Sequence, residues 1–273
     1  MAKTARLIAE NLKLTDIVIE ICDARIPESS RNPYLKKLIE NKPQLLVLNK
    51  TDLADPAVCE AWKSCFNKQN QSYVFVNSRD DKIWNKVIAK VEETLSEVIK
   101  RRKEKNMHGK PIRMMITGIP NVGKSTFINN LSGRASAKTG DKPGVTTGKQ
   151  WVTLRNGYEL LDTPGMLWQK FEGEREGIHL AFTGAIKDTI LDIEELSVEL
   201  LMFLQHNYPE KITERYKIEN PKEYEGYDLL CAVAKKRGFI VRGGEADTER
   251  AAHIVVDEVR GAKLGRISFE SPQ

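Results

Sequence analysis

Cysteine is scarce and scattered: Cys22, Cys59, Cys65 and Cys231 are the only four in 273 residues, and no two stand at the spacing of zinc ligands or of a disulfide framework. That excludes a Cys/His zinc module and makes a reduced, cytoplasmic chain the economical reading. Two of the four lie in apolar stretches, as packing residues do. Long apolar runs are also missing. No stretch approaches the ~20 residues needed to cross a bilayer, and no signal peptide opens the chain, so no membrane partner is expected. Nor is there a general basic excess. The formal net charge of +5 is concentrated, because residues 100–113 hold seven cations (Lys100, Arg101, Arg102, Lys103, Lys105, Lys110 and Arg113) against Glu104, leaving the remainder at −1. Such a run either meets a phosphate backbone or closes a helix whose dipole favours cations, and both readings stay open. His108 within it, like His179, His206 and His253, is read as a surface or capping residue rather than a ligand.

Two motifs stand out against these absences. Gly118-Ile119-Pro120-Asn121-Val122-Gly123-Lys124-Ser125 matches the phosphate-binding pattern Gly-x-x-x-x-Gly-Lys-Ser/Thr. It lies between an apolar run, Ile112 to Thr117, and a helix-like segment, Thr126 to Leu131, which is the strand-loop-helix context that a P-loop needs. Glycine at 118 and 123 lets backbone N–H groups curl around an anion at the positive end of the helix. Lys124 would reach the β and γ phosphates of a nucleotide, Ser125 would bind Mg²⁺, and Asn121, Val122 and Thr126 complete the candidate phosphate site. Base identity needs a second element. Asn49-Lys50-Thr51-Asp52 follows the apolar run Leu45 to Leu48, at the carboxyl edge where open α/β sheets bind ligands. Asp52 can accept from guanine N1 and the 2-amino group together, a donor pair that adenine lacks. Lys50 would lie over the ring, and Asn49 would tie the tetrad to the P-loop.

Three further pieces fit the same site. The strand Tyr158 to Leu161 leads into Asp162-Thr163-Pro164-Gly165, a carboxylate for the Mg²⁺ shell and a glycine N–H for the γ-phosphate. Thr146, in Pro143-Gly144-Val145-Thr146-Thr147, is the candidate third metal ligand. After the run Tyr73 to Val76, the turn Asn77-Ser78-Arg79 either approaches guanine O6 through backbone N–H groups or is an ordinary polar turn. The order is unusual: base tetrad, Ser turn, P-loop, metal threonine, Asp-Thr-Pro-Gly. Ordinary small GTPases begin with the P-loop, so this chain reads as a circular permutation, which termini close together at a surface allow. Ile83 to Lys105, with Ile83, Val87, Val91, Leu95 and Val98 in one apolar stripe, predicts a long helix that carries the chain to the P-loop strand. The expected fold is therefore α/β: a P-loop NTPase, Ras-like doubly wound sheet in permuted order over residues 1–175, then an all-α domain over 176–273. Helices are predicted there at Glu195 to Gln205, Asp228 to Lys236 and Thr248 to Arg260, with Gly238 and Gly261 as stops.

Taken together these residues resemble a known family, the circularly permuted ribosome-assembly GTPases of the YlqF/RbgA type. The resemblance rests on Asp23-Ala24-Arg25-Ile26-Pro27 with Ser29-Ser30-Arg31-Asn32-Pro33, on the tetrad and P-loop, on Lys138 to Thr146, on Leu160 to Gly165 and on Thr183 to Asp188, and it spans effectively the whole chain. It implies GTP hydrolysis to GDP coupled to late maturation of the large ribosomal subunit, with the precursor particle and ribosomal RNA as partners. No DNA partner is implied, and a monomer is expected. Asn121 is similar to an asparagine that helps hold K⁺ in potassium-dependent relatives, the other reading of that residue being loop geometry alone. One departure is that family members carry a segment with Pro-Gly-His ahead of Met-Ala-Lys, whereas Met1-Ala2-Lys3 stands first here, from trimming or from an internal methionine taken as the start. The catalytic group is thus unassigned, since Met166 and Leu167 also stand where many GTPases have a water-orienting glutamine. Two other readings remain: a nucleotide-gated RNA-binding switch in which hydrolysis is incidental, and a permuted GTPase serving the small subunit, whose usual β-barrel or zinc module is not visible.

Overall fold

A computed structural model of the chain describes residues 9–39, 42–107, 109–133, 150–162, 174–186 and 192–272. They fall into two compact units, residues 1–170 with 270–273, and residues 171–269. The first is built on one six-stranded sheet: β1 (Ile17–Asp23), β2 (Gln44–Asn49), β3 (Tyr73–Phe75), β4 (Ile112–Thr117), β5 (Gln150–Thr153) and β6 (Tyr158–Asp162). Their order in space is β3-β2-β1-β4-β6-β5. All neighbours run parallel except β5, which lies antiparallel on β6 at the edge. The chain moves outward from β1 through β2 to β3, then crosses to the other side of β1 for β4 and β6. That reversal makes the carboxyl ends of β1 and β4 a topological switch point, the place where open α/β sheets bind ligands.

Helices cover the sheet as parallel strands require. In the first unit these are α1 (Pro33–Ile39), α2 (Pro56–Lys68), α3 (Ile83–Thr94), α4 (Ser96–Glu104) and α5 (Lys124–Ser132). Asp55 starts α2 by accepting from Ala57 N at 2.8 Å, with Pro56 at the first helical position. Trp62 and Phe66 of α2 pack on Cys22, Leu46 and Leu48 of the sheet, while Val18 and Met115 meet Leu35 and Ile39 of α1. The helix expected over Ile83 to Lys105 is two, because the backbone at Leu95 leaves the helical region at ψ 11°. Thr94 Oγ1 donates back to Lys90 O at 2.7 Å, a contact that bends helices, and α4 beyond the break buries no residue. The chain's last residues rejoin this unit. Glu270 accepts from Glu28 N at 2.8 Å and Ser29 N at 3.0 Å and is also hydrogen-bonded by the Ser29 hydroxyl, while Trp62 Nε1 donates to its carbonyl at 3.2 Å.

Mid-strand in β1, Glu20 is 1% exposed. Burial pushes its carboxyl up to about 7, against the Asn32 N–H, the Arg31 charge and the Gln44 amide, which favour the charged form. A carboxylic acid with a raised folded-state pKa stabilises fully below the unfolded value of 4.5 and loses that contribution as pH rises through about 7. The unfolding free energy measured by urea titration should therefore fall between pH 5 and pH 8, by up to about 3 kcal/mol from this group. Glu20→Gln, with the Gln44 amide flipped to present its oxygen, should flatten that fall; an unchanged slope in the variant would assign the pH dependence elsewhere.

The second unit is helical: α6 (Glu174–Phe182), α7 (Ile193–Asn207), α8 (Pro209–Tyr216), α9 (Gly226–Lys236) and α10 (Thr248–Arg260). Asp192 caps α7 and Asp247 caps α10 through their carboxylates. α7 packs against α9 and α10 with Leu200, Leu201 and Leu204 fully buried, and the rings of Phe182 and Phe203 lie tilted against Phe269 at 5.2 and 5.3 Å. Glu258 accepts from both Arg215 and Arg237. Gly238 ends α9 in the left-handed conformation at φ 70°, as a stop glycine does, but Gly261 caps α10 at φ −86° and the left-handed residue is Ala262.

Candidate functional site

The P-loop connects β4 to α5 and depends on three left-handed or near left-handed residues, Gly118 at φ 151°, Asn121 at φ 60° and Gly123 at φ 93°. Both glycines are dictated by close approach as well. A Cβ on Gly118 would lie 2.5 Å from Ile21 O, and one on Gly123 would lie 2.5 Å from Asn49 Nδ2. Phe127, Ile128 and Leu131 anchor α5 in the core, which fixes where its N-terminus points. Lys124 Nζ donates to Gly118 O at 3.1 Å and Ile119 O at 2.9 Å, so the ammonium is held over the mouth of the loop. Ser125 is partly exposed beside it and Thr126 is exposed.

The tetrad reaches this loop directly. Asn49, 2% exposed at the end of β2, donates from Nδ2 to Val122 O at 2.7 Å. Its Oδ1 accepts from Ser78 N at 2.9 Å and from the Ser78 hydroxyl at 2.7 Å. One buried amide thus joins three segments that are distant in sequence. Asn130 of α5 adds a brace, donating from Nδ2 to Ser78 O at 3.0 Å and Asp80 O at 3.1 Å. Thr51 N donates to Val76 O at 3.3 Å, and Asp52 is exposed beyond it. Within the turn after β3, the N–H of Ser78 is engaged by Asn49 and that of Arg79 by Asn77 Oδ1 at 2.9 Å. In this turn Ser78 braces Asn49, and Asn77 Oδ1 closes the turn on Arg79 N.

On the metal side, Asp162 ends β6 with its Cα paired to Ile116, beside the strand that enters the P-loop. A carboxylate and the Ser125 hydroxyl are the hard oxygen donors that Mg²⁺ takes. Thr146, Gly165 and Met166 lie outside the described residues.

Asp23, which in the sequence carries the resemblance but belongs to neither nucleotide motif, also lies at this edge of the sheet. It ends β1, its Cα pairs with that of Asn49, and it is 1% exposed. Its carboxylate meets Arg25 at 2.8 Å and Lys50 Nζ at 3.0 Å. Burial opposes its charge, yet the adjacent Arg25 and Lys50 cations hold the carboxyl well below the usual range. Its trace in the sequence is the string Asp23-Ala24-Arg25-Ile26-Pro27; the run before it, Ile17 to Cys22, is interrupted by Glu20.

A family model described as 50S ribosome-binding GTPase matches residues 113–235. Ribosome biogenesis GTPase A of Bacillus pumilus is 45% identical over 273 residues, covering all of this chain and 96% of that protein. Two solved structures of YlqF are similar throughout. A GDP-bound one has TM-score 0.68 and 27% identity, covering 97% of this chain and 99% of its own. A GNP-bound one from Thermotoga maritima has TM-score 0.67 and 28% identity, covering 99% of each. A permuted P-loop sheet with the tetrad, the Ser turn and the phosphate loop joined through one asparagine, together with full-length identity of this order, means that the chain belongs to the ribosome biogenesis GTPase A family and is a GTP hydrolase.

Proposed function

We propose that this GTPase acts in late assembly of the large ribosomal subunit, as a monomer in the cytoplasm, and that the precursor particle stimulates its hydrolysis. The observation that carries the nucleotide part is the Asn49 bridge, which sets base tetrad and P-loop at one crevice. In this reading Asp52 takes guanine, Lys50 covers it, and Asn49, Thr51, Asn77 and Ser78 hold the tetrad's frame. Gly118, Asn121, Val122, Gly123, Lys124, Ser125 and Thr126 cradle the phosphates, with Gly165 at the γ-phosphate. Ser125, Asp162 and Thr146 would hold Mg²⁺, whose chemistry is to offset charge on the phosphate oxygens. At Asn121 a φ of 60° supports loop geometry as the reason for the residue, since asparagine tolerates the left-handed region, and K⁺ is the second reading.

The partner assignment draws on the family and on α4. Of the seven cations in residues 100–113, Arg102 is paired with Asp16 and Arg113 with Glu159. Lys100, Arg101, Lys103, Lys105 and Lys110 are all exposed, a surface suited to a phosphate backbone such as ribosomal RNA. The helical region 176–273 is proposed as a second RNA contact. Because Met166 replaces the water-orienting glutamine, intrinsic turnover should be slow and should rise sharply with the particle. Co-sedimentation with 50S-sized and 30S-sized particles, in a non-hydrolysable GTP analogue and in GDP, together with turnover on each, tests this. The expected result is pelleting with 50S-sized particles in the analogue, release in GDP and stimulated hydrolysis. Preference for 30S-sized particles, or fast turnover without any particle, would overturn it.

A further inference from the structure

The first turn after β1 carries a buried charge cluster that the phosphate and base motifs do not explain. β1 is the strand between β2, which feeds the tetrad, and β4, which feeds the P-loop. At its end the Asp23 carboxylate is surrounded. Oδ1 accepts from Arg25 N and Arg25 Nε, both at 3.0 Å, and Oδ2 accepts from Arg25 Nη2 at 2.8 Å while meeting Lys50 Nζ at 3.0 Å. The turn that follows is closed on itself, with Ser30 Oγ accepting from Asp23 N at 3.0 Å and donating to Ile26 O at 2.6 Å. Ala24 N donates to Asn49 O at 2.8 Å, which ties this turn to the last residue of β2. Arg25 is 2% exposed, so its fork grips the carboxylate out of water and sets the plane in which Oδ2 faces Lys50.

Lys50 needs such a partner. Its backbone is left-handed at φ 62°, uncommon for a residue with a Cβ, and its side chain is a flexible stem that is still 21% exposed. A lysine that covers a planar base does so with its methylenes, and those methylenes form a flat surface only if the ammonium is fixed at the far end. Arg25 alone neutralises Asp23. The second cation on the same carboxylate is therefore an added constraint on Lys50 rather than a requirement of burying Asp23.

Building on the reading that residues 49–52 receive a guanine base, we infer that Asp23, oriented by Arg25, is a positioning residue for nucleotide binding that acts through Lys50. The binding surface over the base is then a three-residue unit assembled from two neighbouring strands. Charge removal at Asp23 frees the stem and lowers affinity for GDP and GTP alike, because both share the base.

A double-mutant cycle on the full chain tests this, with fluorescent N-methylanthraniloyl-GDP as the probe and thermal melting to establish folding. Lys50→Met keeps the stem and deletes the ammonium; Asp23→Asn keeps the shape and deletes the charge. Each alone should weaken the probe about tenfold, and the double variant should be no weaker than Lys50→Met. If Asp23→Asn melts out, the variant Asp23→Asn/Arg25→Gln, which removes both charges of the buried pair, is carried through the same cycle. Additive losses would overturn the inference, since Asp23 would then act on the fold and not through Lys50; so would unaltered affinity in Asp23→Asn beside a clear loss in Lys50→Met. Failure of the base-site reading itself looks different: Lys50→Met and Asp52→Asn would both leave the probe's affinity untouched.

Discussion

Lys124→Ala abolishes tight GTP binding. The Lys124 ammonium is held over the loop by Gly118 O and Ile119 O, at 3.1 and 2.9 Å, and among the P-loop residues Gly118 to Ser125 it is the one cationic side chain. These carbonyls already restrain Nζ at the mouth of the loop, so little side-chain freedom is left to lose when phosphate is bound. Removing the cation leaves the loop itself with backbone N–H groups and the helix end to oppose the phosphate charge, which are worth less than a charge-assisted contact. The expected loss is about a hundredfold or more in affinity for a non-hydrolysable GTP analogue, ~3 kcal/mol. GDP, lacking the γ-phosphate, should lose less. Equilibrium dialysis of both nucleotides against the variant measures the difference. The fold should stand, because α5 is anchored by Phe127, Ile128 and Leu131 rather than by the lysine. Affinity within a factor of about two of the parent chain would place the phosphates somewhere else.

Several elements of this site were legible because their residues serve chemistry and local geometry at once. The tetrad and P-loop each follow an apolar strand, and the observed β2 and β4 end where the polar residues begin. Gly118 and Gly123 are needed both for an anion cradle and for close packing, so the pattern and the fold agree. Other features were hidden for physical reasons. β1 is as buried as any strand in the sheet, yet Glu20 interrupts its apolar run and no nucleotide motif follows it, so nothing local marks it as central. Its carboxylate is accommodated by Asn32 and Gln44, 12 and 24 residues away, a solution that only the fold reveals. The break at Leu95 leaves the apolar stripe intact and is invisible to periodicity; it follows from the Thr94 hydroxyl turning back on Lys90 O. The return of Glu270 to the turn at Glu28 and Ser29 spans more than 240 residues, with no pattern that could announce it.

Asp52→Asn should change which base is held without loosening the phosphates. Asp52 stands exposed past the fixed part of the tetrad, where Asn49 and Thr51 secure the backbone and leave the carboxylate for a ligand. Its two oxygens suit the N1–H and 2-amino donors of guanine. An amide at that position offers one acceptor and one donor, so it turns a donor against the guanine 2-amino group and leaves a polar group unpaired. Xanthine has an oxygen at that ring position, and the amide donor would meet it. A site built to hydrogen-bond particular groups discriminates strongly against a ligand that lacks them, so the expected reversal is large: GTP weakened by about a hundredfold and xanthosine triphosphate improved by a comparable factor. Competition of each triphosphate against a fluorescent GDP probe reads both changes in one experiment, and hydrolysis of xanthosine triphosphate by the variant would show that the phosphate end still works. Stability should hardly move, since an exposed carboxylate is replaced by an isosteric amide. Unaltered preference between the two bases would mean that Asp52 does not face the base, even with the Asn49 bridge in place.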